Sequence, residues 1–331
     1  MARWVALCGT PDLPIADGPA RRALDGTAEA RLVALPYKKL TAAEETEWAG
    51  ALQGAGGILL RSGYITPSLL AQLPDLEVVA VHGAGVDQAD IAACTAHGVQ
   101  VTNAPGANAN AVAELVFGLM LALARGIPAA SHQAKAERAW DTARVMGGEL
   151  RGRTLGLVGF GQIGRKVAPI AQAFGMLVAA SDPMVPDETM QALDVTPMPI
   201  EALFETSDVI SLHAPAIPET RRMINATTLA MMKPTAHLVN CARGALVDEA
   251  ALAAALNDGR LGAAALDVLE GEPPDPASPL YTAKNLLITP HMAGSTRECL
   301  DTIAATCGAD IAAVFRGAIP AFPVNTIPLK R

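Results

Sequence analysis

The stretch Leu155-Gly-Leu-Val-Gly159-Phe-Gly161-Gln-Ile-Gly164 decides the fold of this chain. Its apolar start, residues 154 to 158, is typical of a buried parallel strand, and after three glycines spaced G-x-G-x-x-G a helical pattern begins. In such a turn the first glycine permits the tight bend, the second lets a pyrophosphate approach the backbone, and the third lets helix and strand pack closely. Because the free N–H groups at a helix start favour an anion, Gly159, Gly161 and Gly164 predict a dinucleotide site.

An acidic residue, Asp182, follows the next apolar run at 176–180. A carboxylate at the end of that strand can accept hydrogen bonds from both ribose hydroxyls of NAD, and it would repel the extra phosphate of NADP. A glycine turn alone arises easily in a chain rich in alanine and glycine. The prediction of NAD as the cofactor therefore depends on the complete arrangement of strand, turn, helix, strand and acid.

Length, composition and charge narrow the possible classes of protein. The 331 residues suffice for two domains, and 51% hydrophobic with 18% charged residues indicates a soluble globular chain. The formal net charge of -8 argues against nucleic acid as a partner. Neither a signal sequence nor a membrane span is predicted, since the N-terminal apolar run is short and the longest one, 115–124, is half a span. Five scattered cysteines without a C-x-x-C pair suggest reduced thiols, a cytoplasmic location and no metal site.

Short apolar runs alternate with helical patterns along most of the chain, which predicts an α/β protein with two parallel sheets. Asn103-Ala-Pro105 and Pro290 interrupt the alternation and mark a split between a nucleotide-binding domain, 104–290, and a second domain formed by 1–103 and 291–331. A long helix at 108–125 is apolar nearly all round, so it is expected to be buried either in a subunit interface or in its own core. The predicted strands lie at 4–8, 31–35, 57–60, 77–81, 99–102, 154–158, 176–180, 208–212, 237–240, 263–267 and 286–289.

Three side chains that carry chemistry follow predicted strands of the nucleotide-binding domain. Ligands collect at the carboxyl ends of parallel strands, so Arg243, Glu272 and His291 are expected to converge on the cofactor. Arg243 can hold a carboxylate by two parallel bonds, and His291 has an ordinary pKa suited to proton transfer near neutrality. Glu272, if it touches the imidazole, would raise the pKa of that ring. Each also has a plainer interpretation, as a surface charge, a turn residue or a loop entry.

Two other residues near these segments each have a structural and a functional interpretation. His213 ends a predicted strand, where it is either structural or part of the cofactor site. Cys241 lies two residues before Arg243, and no base is visible beside it in the sequence. We interpret it as a small packed residue rather than a nucleophile.

Several motifs in order resemble those of the D-isomer-specific 2-hydroxyacid dehydrogenases. They are Gly85-Val-Asp87, Asn103-Ala-Pro105, Gly159-Phe-Gly161-Gln-Ile-Gly164, Leu212-His-Ala-Pro215, Asn240-Cys-Ala-Arg243-Gly244, Leu266-Asp-Val268 with Glu272-Pro273, and Pro290-His-Met-Ala-Gly294. The resemblance spans nearly the whole chain. It implies two doubly wound domains, a Rossmann nucleotide-binding domain and a flavodoxin-like substrate domain, with the active site between them.

The resemblance also implies roles for individual residues. Arg243 would bind the substrate carboxylate and carbonyl, Glu272 would support the histidine, and His291 would be the acid/base. Substrate binding would further involve the loop after the fourth strand and the segment after the third, that is Gly83, Ala84, Gly85, Arg61 and Ser62. Cofactor contacts would come from Gly159, Gly161, Gln162, Ile163, Gly164, Asp182, His213, Pro215, Cys241, Ala242, Asp267, His291 and Gly294.

The implied reaction is hydride transfer between nicotinamide and a small 2-oxo or D-2-hydroxy acid. The segments Arg61-Ser-Gly63 and 149–156 are similar to those of 3-phosphoglycerate dehydrogenases and hydroxypyruvate or glyoxylate reductases, in the first of which Arg61 would meet the substrate phosphate. A homodimer built on the long helix is implied as well. Two alternatives stay open: a non-catalytic NAD-sensing scaffold of the corepressor type, and a dehydrogenase of another anionic acid such as a phosphonate.

Overall fold

The computed structural model describes residues 3–38 and 40–327 and divides the chain into two compact units. The terminal unit consists of the residues up to Asn108 together with those from Gly294 onward, and the central unit is Ala109–Ala293. These divisions lie within a few residues of the breaks that Pro105 and Pro290 indicated. Each unit contains one parallel sheet with helices beside it.

The terminal unit has a five-stranded parallel sheet in the order β2-β1-β3-β4-β5, which is the flavodoxin-like order. Its helices include one long C-terminal helix, α12, which packs on α1. At that contact a Cβ on Gly308 would lie 2.9 Å from the Cβ of Ala23, so only glycine lets the two helices approach so closely. The elements are β1 Trp4–Cys8, α1 Asp17–Leu24, β2 Glu29–Val33, α2 Ala42–Leu52, β3 Ala55–Leu60, α3 Pro67–Leu70, β4 Val78–Val81, α4 Ile91–Ala96, β5 Gln100–Thr102 and α12 Arg297–Phe315.

The central unit has a seven-stranded parallel sheet in the order β12-β11-β10-β9-β6-β7-β8. The strand order reverses at β6, as in dinucleotide-binding folds, and the glycine turn follows that strand. The central unit also contains two 3₁₀ turns, Gly244–Leu246 and Pro279–Thr282. The elements are α5 Ala109–Arg125, α6 Ile127–Lys135, β6 Thr154–Val158, α7 Gly164–Ala173, β7 Leu177–Ser181, α8 Asp187–Gln191, β8 Thr196–Pro197, α9 Ile200–Thr206, β9 Val209–Leu212, α10 Ala226–Met231, β10 His237–Asn240, α11 Glu249–Asn257, β11 Ala263–Leu266 and β12 Leu286–Ile288.

The predicted fold class, an α/β chain with two doubly wound parallel sheets, is confirmed. Several strand bounds differ from the prediction by one or two residues, and two differences matter most. The central sheet has a seventh strand, β8, that was not predicted, and β2 begins at Glu29 rather than Arg31. Leu35 is fully buried but lies beyond the strand, because its N–H bonds back to the Val33 carbonyl in a turn.

The long helix α5 lies mostly inside the core of its own unit. Val116, Phe117 and Met120 are among its buried residues and join the cluster that contains Leu155 and Leu157 of β6. Within the described part of the chain, no single helix combines the length and apolar character of a membrane span. The bent pair α5 and α6, with 62° between its halves, does so by length and composition alone.

Candidate dinucleotide and catalytic site

The three glycines of the turn after β6 differ in their surroundings: two of them have no room for a side chain, and one does. Gly159 has φ +97°, and a Cβ there would lie 2.8 Å from the carbonyl carbon of His213. A Cβ on Gly164 would lie 2.6 Å from the carbonyl oxygen of Gly159. Packing alone therefore requires glycine at positions 159 and 164. A Cβ on Gly161 would meet no atom within 4 Å. That open backbone, at the start of α7, is the feature that a pyrophosphate needs, and the residues present therefore fit a dinucleotide.

Asp182 connects the end of β7 to the glycine turn. Its Oδ2 accepts a hydrogen bond from the N–H of Phe160 at 2.8 Å, and its Oδ1 accepts one from the N–H of Met184 at 2.9 Å. Each carboxylate oxygen can accept a second bond, so the predicted contacts with ribose hydroxyls stay compatible with this geometry. The sequence did not show that the same side chain also fixes the turn.

His213 follows β9 and lies against the glycine turn, where its N–H donates to the Val158 carbonyl at 2.7 Å. Its Nε2 is 3.0 Å from Ser211 Oγ, and its Nδ1 is buried with no partner among the described residues. Burial lowers the pKa of His213 to about 4. The ring is therefore neutral at pH 7 and is not a proton donor there. Of the other predicted cofactor residues nearby, Ile163 is half-buried, and Gln162 and Pro215 are exposed.

A buried asparagine shapes the turn that carries Arg243. Asn240 is fully buried, its Nδ2 donates to the Arg243 carbonyl at 2.9 Å, and its Oδ1 accepts from Ala242 N–H at 3.0 Å. Sequence reasoning quoted this asparagine in a motif but gave it no role. Cys241 between them is buried, and burial raises the pKa of its thiol. A protonated, buried thiol agrees with the packed-residue interpretation and not with a nucleophile.

Glu272 and His291 form the hydrogen-bonded pair that the sequence predicted. Glu272 Oε2 lies 2.7 Å from His291 Nδ1, and Glu272 Oε1 accepts from Leu269 N–H at 3.0 Å. The hydrogen bond to Glu272 raises the pKa of His291; burial and Arg243 act in the opposite direction but do not cancel it. Burial acts to raise the pKa of Glu272, but its bonds to His291 and Leu269 and the charge of Arg243 lower it overall. The pair therefore favours a charged imidazole beside a carboxylate.

The loop that carries His291 is held by one buried carboxylate. Asp267 is 1% exposed, and it accepts bonds from the N–H groups of Met292 and Ala293, both at 2.9 Å, and from Thr289 Oγ1 at 2.6 Å. Its backbone carbonyl also accepts from the N–H of His291 at 2.8 Å. Asp267 was predicted as a cofactor contact, and the structure shows that both carboxylate oxygens orient the histidine loop. The part played by Thr289 was not predicted, because a strand-ending threonine has no distinguishing pattern.

The remaining predicted residues belong to the terminal unit. Arg61 follows β3, and its Nη1 lies 3.3 Å from His82 Nδ1. Gly83 has φ +154° and, with the exposed Ala84 and the half-buried Gly85, forms the loop after β4. Gly294 leads towards α12.

Ser62 requires a correction. It is fully buried, its Oγ donates to the Leu35 carbonyl, and its N–H bonds to the Cys8 carbonyl. With both donors engaged inside the sheet, Ser62 is a packing residue and is not retained as a substrate ligand.

Together, a Rossmann sheet, an open glycine turn and a paired histidine define an α/β protein of the dinucleotide-binding, oxidoreductase type. Residues 117–293 match the family model described as D-isomer specific 2-hydroxyacid dehydrogenase, NAD binding domain. The chain belongs to the D-isomer specific 2-hydroxyacid dehydrogenase family, and this central region is its NAD-binding domain. The family resemblance and the expectation of NAD are thereby confirmed.

Known relatives agree with this assignment. The chain is similar to the D-3-phosphoglycerate dehydrogenase of Methanocaldococcus jannaschii, at 42% identity over 276 residues, or 83% of this chain and 52% of that protein. With the enzyme of the same name from Bacillus subtilis it shares 35% identity over 315 residues, 95% of this chain and 58% of that protein. The chain thus spans about half the length of these curated relatives. A solved structure, the TT0316 protein from Thermus thermophilus, superposes with a TM-score of 0.85 at 33% identity, covering 97% of this chain and all of that one.

Proposed function

We propose that this chain catalyses NAD-dependent hydride transfer to and from a small D-2-hydroxy acid, with 3-phosphoglycerate and phosphohydroxypyruvate as the substrate pair. The observation that carries the proposal is the 2.7 Å contact between His291 and Glu272 in the NAD-binding domain. A histidine whose pKa is raised by a carboxylate can supply a proton near neutral pH. The names of the relatives, D-3-phosphoglycerate dehydrogenase, support the choice of substrate.

In the reductive direction the protonated His291 gives its proton to the carbonyl oxygen of the 2-oxo acid. When bound, NADH would supply the hydride to the carbonyl carbon and NAD⁺ would accept it in reverse. Reduction leaves the 2-hydroxy acid and a neutral His291. In the oxidative direction the neutral imidazole takes the hydroxyl proton. Arg243 holds the substrate carboxylate and carbonyl, while Glu272 keeps the ring oriented and favours its charged form. The open backbone at Gly161 would hold the cofactor pyrophosphate.

Arg61 supports a phosphorylated substrate in preference to glyoxylate or hydroxypyruvate. Among the residues the structure describes, no carboxylate lies within ion-pair distance of its guanidinium, whose nearest side-chain partner is the neutral ring of His82. A partly buried cation without a counter-charge favours an anionic ligand. Gly83, Ala84 and Gly85 would bind the substrate carboxylate through their backbone N–H groups.

We also propose a cytoplasmic homodimer with α5 at its interface. This helix has three leucines that are only half-buried in the single chain, namely Leu115, Leu121 and Leu123. In the same unit Trp140 is 89% and Met146 82% exposed, and a partner subunit would cover such apolar side chains. Analytical ultracentrifugation checks the state: a single species of monomer mass at micromolar concentration would reject the dimer.

The activity is tested by following NADH oxidation with phosphohydroxypyruvate, hydroxypyruvate, glyoxylate and pyruvate in parallel. His291→Ala should lower kcat by roughly 10²–10⁴-fold while the Kd for NADH is retained, since a general acid contributes about that much. The exposed His132→Ala, in the same unit, is the matched control and should stay at wild-type rate. Tight NADH binding without turnover on any acid would reject the enzyme and favour a sensing scaffold.

A further inference from the structure

Two side chains at the carboxyl ends of neighbouring strands form a pair in the terminal unit. Arg61 follows β3 and His82 follows β4, and these strands run parallel side by side. The pairing brings Arg61 Nη1 to 3.3 Å from His82 Nδ1. The main chain at His82 is held in place, because its N–H donates to the Leu60 carbonyl at 2.8 Å.

The chemistry of this contact determines the tautomer of the histidine. A guanidinium can only donate, so Nδ1 must be the acceptor and the ring proton lies on Nε2. His82 is only 8% exposed, and burial, with the nearby charge of Arg61, lowers the pKa of its ring to about 3. At neutral pH the ring is therefore an uncharged acceptor. It orients the guanidinium and does not neutralise it.

We propose that His82 is a positioning residue that holds the Arg61 guanidinium towards the phosphate of the substrate while leaving its positive charge uncompensated. This inference rests on the proposed function. An aspartate or glutamate at the position of His82 would also orient the arginine, but it would compete with the phosphate for the same charge. A neutral acceptor gives orientation without that competition. His82 would thus contribute to the choice between phosphorylated and unphosphorylated 2-oxo acids.

The test compares two substitutions of the same histidine. His82→Asn keeps an oxygen acceptor near the position of Nδ1, whereas His82→Leu removes the acceptor and keeps the volume apolar. His82→Leu should raise KM for phosphohydroxypyruvate by roughly tenfold or more, the range for a lost bond to a charged group, with kcat little changed. KM for glyoxylate should not change, and His82→Asn should remain close to wild type on both acids.

A second comparison shows whether His82 acts through Arg61. In an Arg61→Ala background, His82→Leu should cause no further increase in KM for phosphohydroxypyruvate, because the group that it orients is gone. The exposed Arg22→Ala on α1 is the control for loss of one positive charge in the same unit, and it should leave KM unchanged. Thermal unfolding of each variant shows that the fold is retained.

The possible results separate this inference from the proposed function. Equal KM effects of His82→Asn and His82→Leu, equal losses on both acids, or additive losses in the Arg61→Ala background would each overturn the positioning role. A wild type that does not favour the phosphorylated acid would overturn it too, while hydride transfer stands. If no acid is reduced, the proposed function fails, and inorganic phosphate becomes the probe: it should raise the Tm of wild type and His82→Asn but not of His82→Leu. Absence of that rise in the wild type would reject the inference.

Discussion

Asp267→Asn is the substitution that most directly examines how the loop that carries His291 is held. The wild-type carboxylate accepts three bonds, from the N–H groups of Met292 and Ala293 and from the hydroxyl of Thr289. An amide of the same shape replaces one acceptor oxygen by a donor. In either orientation its NH₂ group faces at least one backbone N–H, because each carboxylate oxygen bonds a different one.

The cost follows from burial. Asp267 is 1% exposed, so water cannot replace the lost acceptor. An unsatisfied buried donor costs about 1–3 kcal/mol, and the remaining bonds lose the benefit of a charged acceptor, so a total of about 2–4 kcal/mol is expected. For a unit of this size, about 1 kcal/mol lowers the Tm by roughly 2–4 °C, which gives a decrease of roughly 4–16 °C.

Calorimetry and hydrogen exchange measure the two consequences. The amides of Met292 and Ala293 should exchange faster, and kcat should fall by up to about 10²-fold because His291 is no longer held in place. The matched control is Asp248→Asn, which makes the same chemical change at the N-cap of α11, where Asp248 accepts from Ala251 N–H and asparagine caps equally well. A decrease in Tm no larger than that of the control, with unchanged exchange, would refute the reasoning.

Three further substitutions examine the site itself. Glu272→Gln should move the decline of reductive kcat/KM to lower pH. The carboxylate raises the pKa of His291, and the charged form of the ring is lost as pH rises through that pKa. An unchanged pH profile contradicts the pairing. Asp182→Ala should relax the preference for NADH over NADPH. Because it also leaves the N–H of Phe160 without its acceptor, NADH binding should weaken by roughly tenfold in a fluorescence titration. A wild type that prefers NADPH refutes this. Gly161→Ala should leave the Tm within about 2 °C, since a Cβ there has no neighbour within 4 Å. It should weaken NADH binding strongly, and wild-type affinity would place the pyrophosphate elsewhere.

The strands that the sequence placed well are those buried on both faces. Trp4–Cys8 and His237–Asn240 match their predicted bounds, because a parallel strand between neighbours reads as a continuous apolar run. Edge strands lack that signal. Leu32 on β2 is 62% exposed, and β8 consists of two residues ending in Pro197, which an edge tolerates because it pairs with β7 alone.

The candidate chemical groups can be picked out in the sequence, whereas the residues that support them cannot. Arg243, Glu272 and His291 are residue types with few equivalents at strand ends, so their chemistry is visible in the sequence. The roles of Asp267 and Asn240 depend on the paths of two loops, including φ +50° at His291, and no local pattern specifies these paths. Ser62 shows the converse error, since a small polar residue beside Arg61 suggested a ligand but bonds inside the sheet.

Three histidines show how the fold assigns one residue type to different tasks. His82 and His213 are held by burial in the neutral form, with pKa values of about 3 and about 4, so neither can supply a proton at pH 7. His291 is half-exposed and bonded to Glu272, which raises its pKa and favours the charged ring. The sequence alone left His213 open as a cofactor-site residue. Of these three rings, the one bonded to Glu272 has a pKa shifted upward, so we propose that proton transfer occurs at His291 and not at the two buried neutral rings.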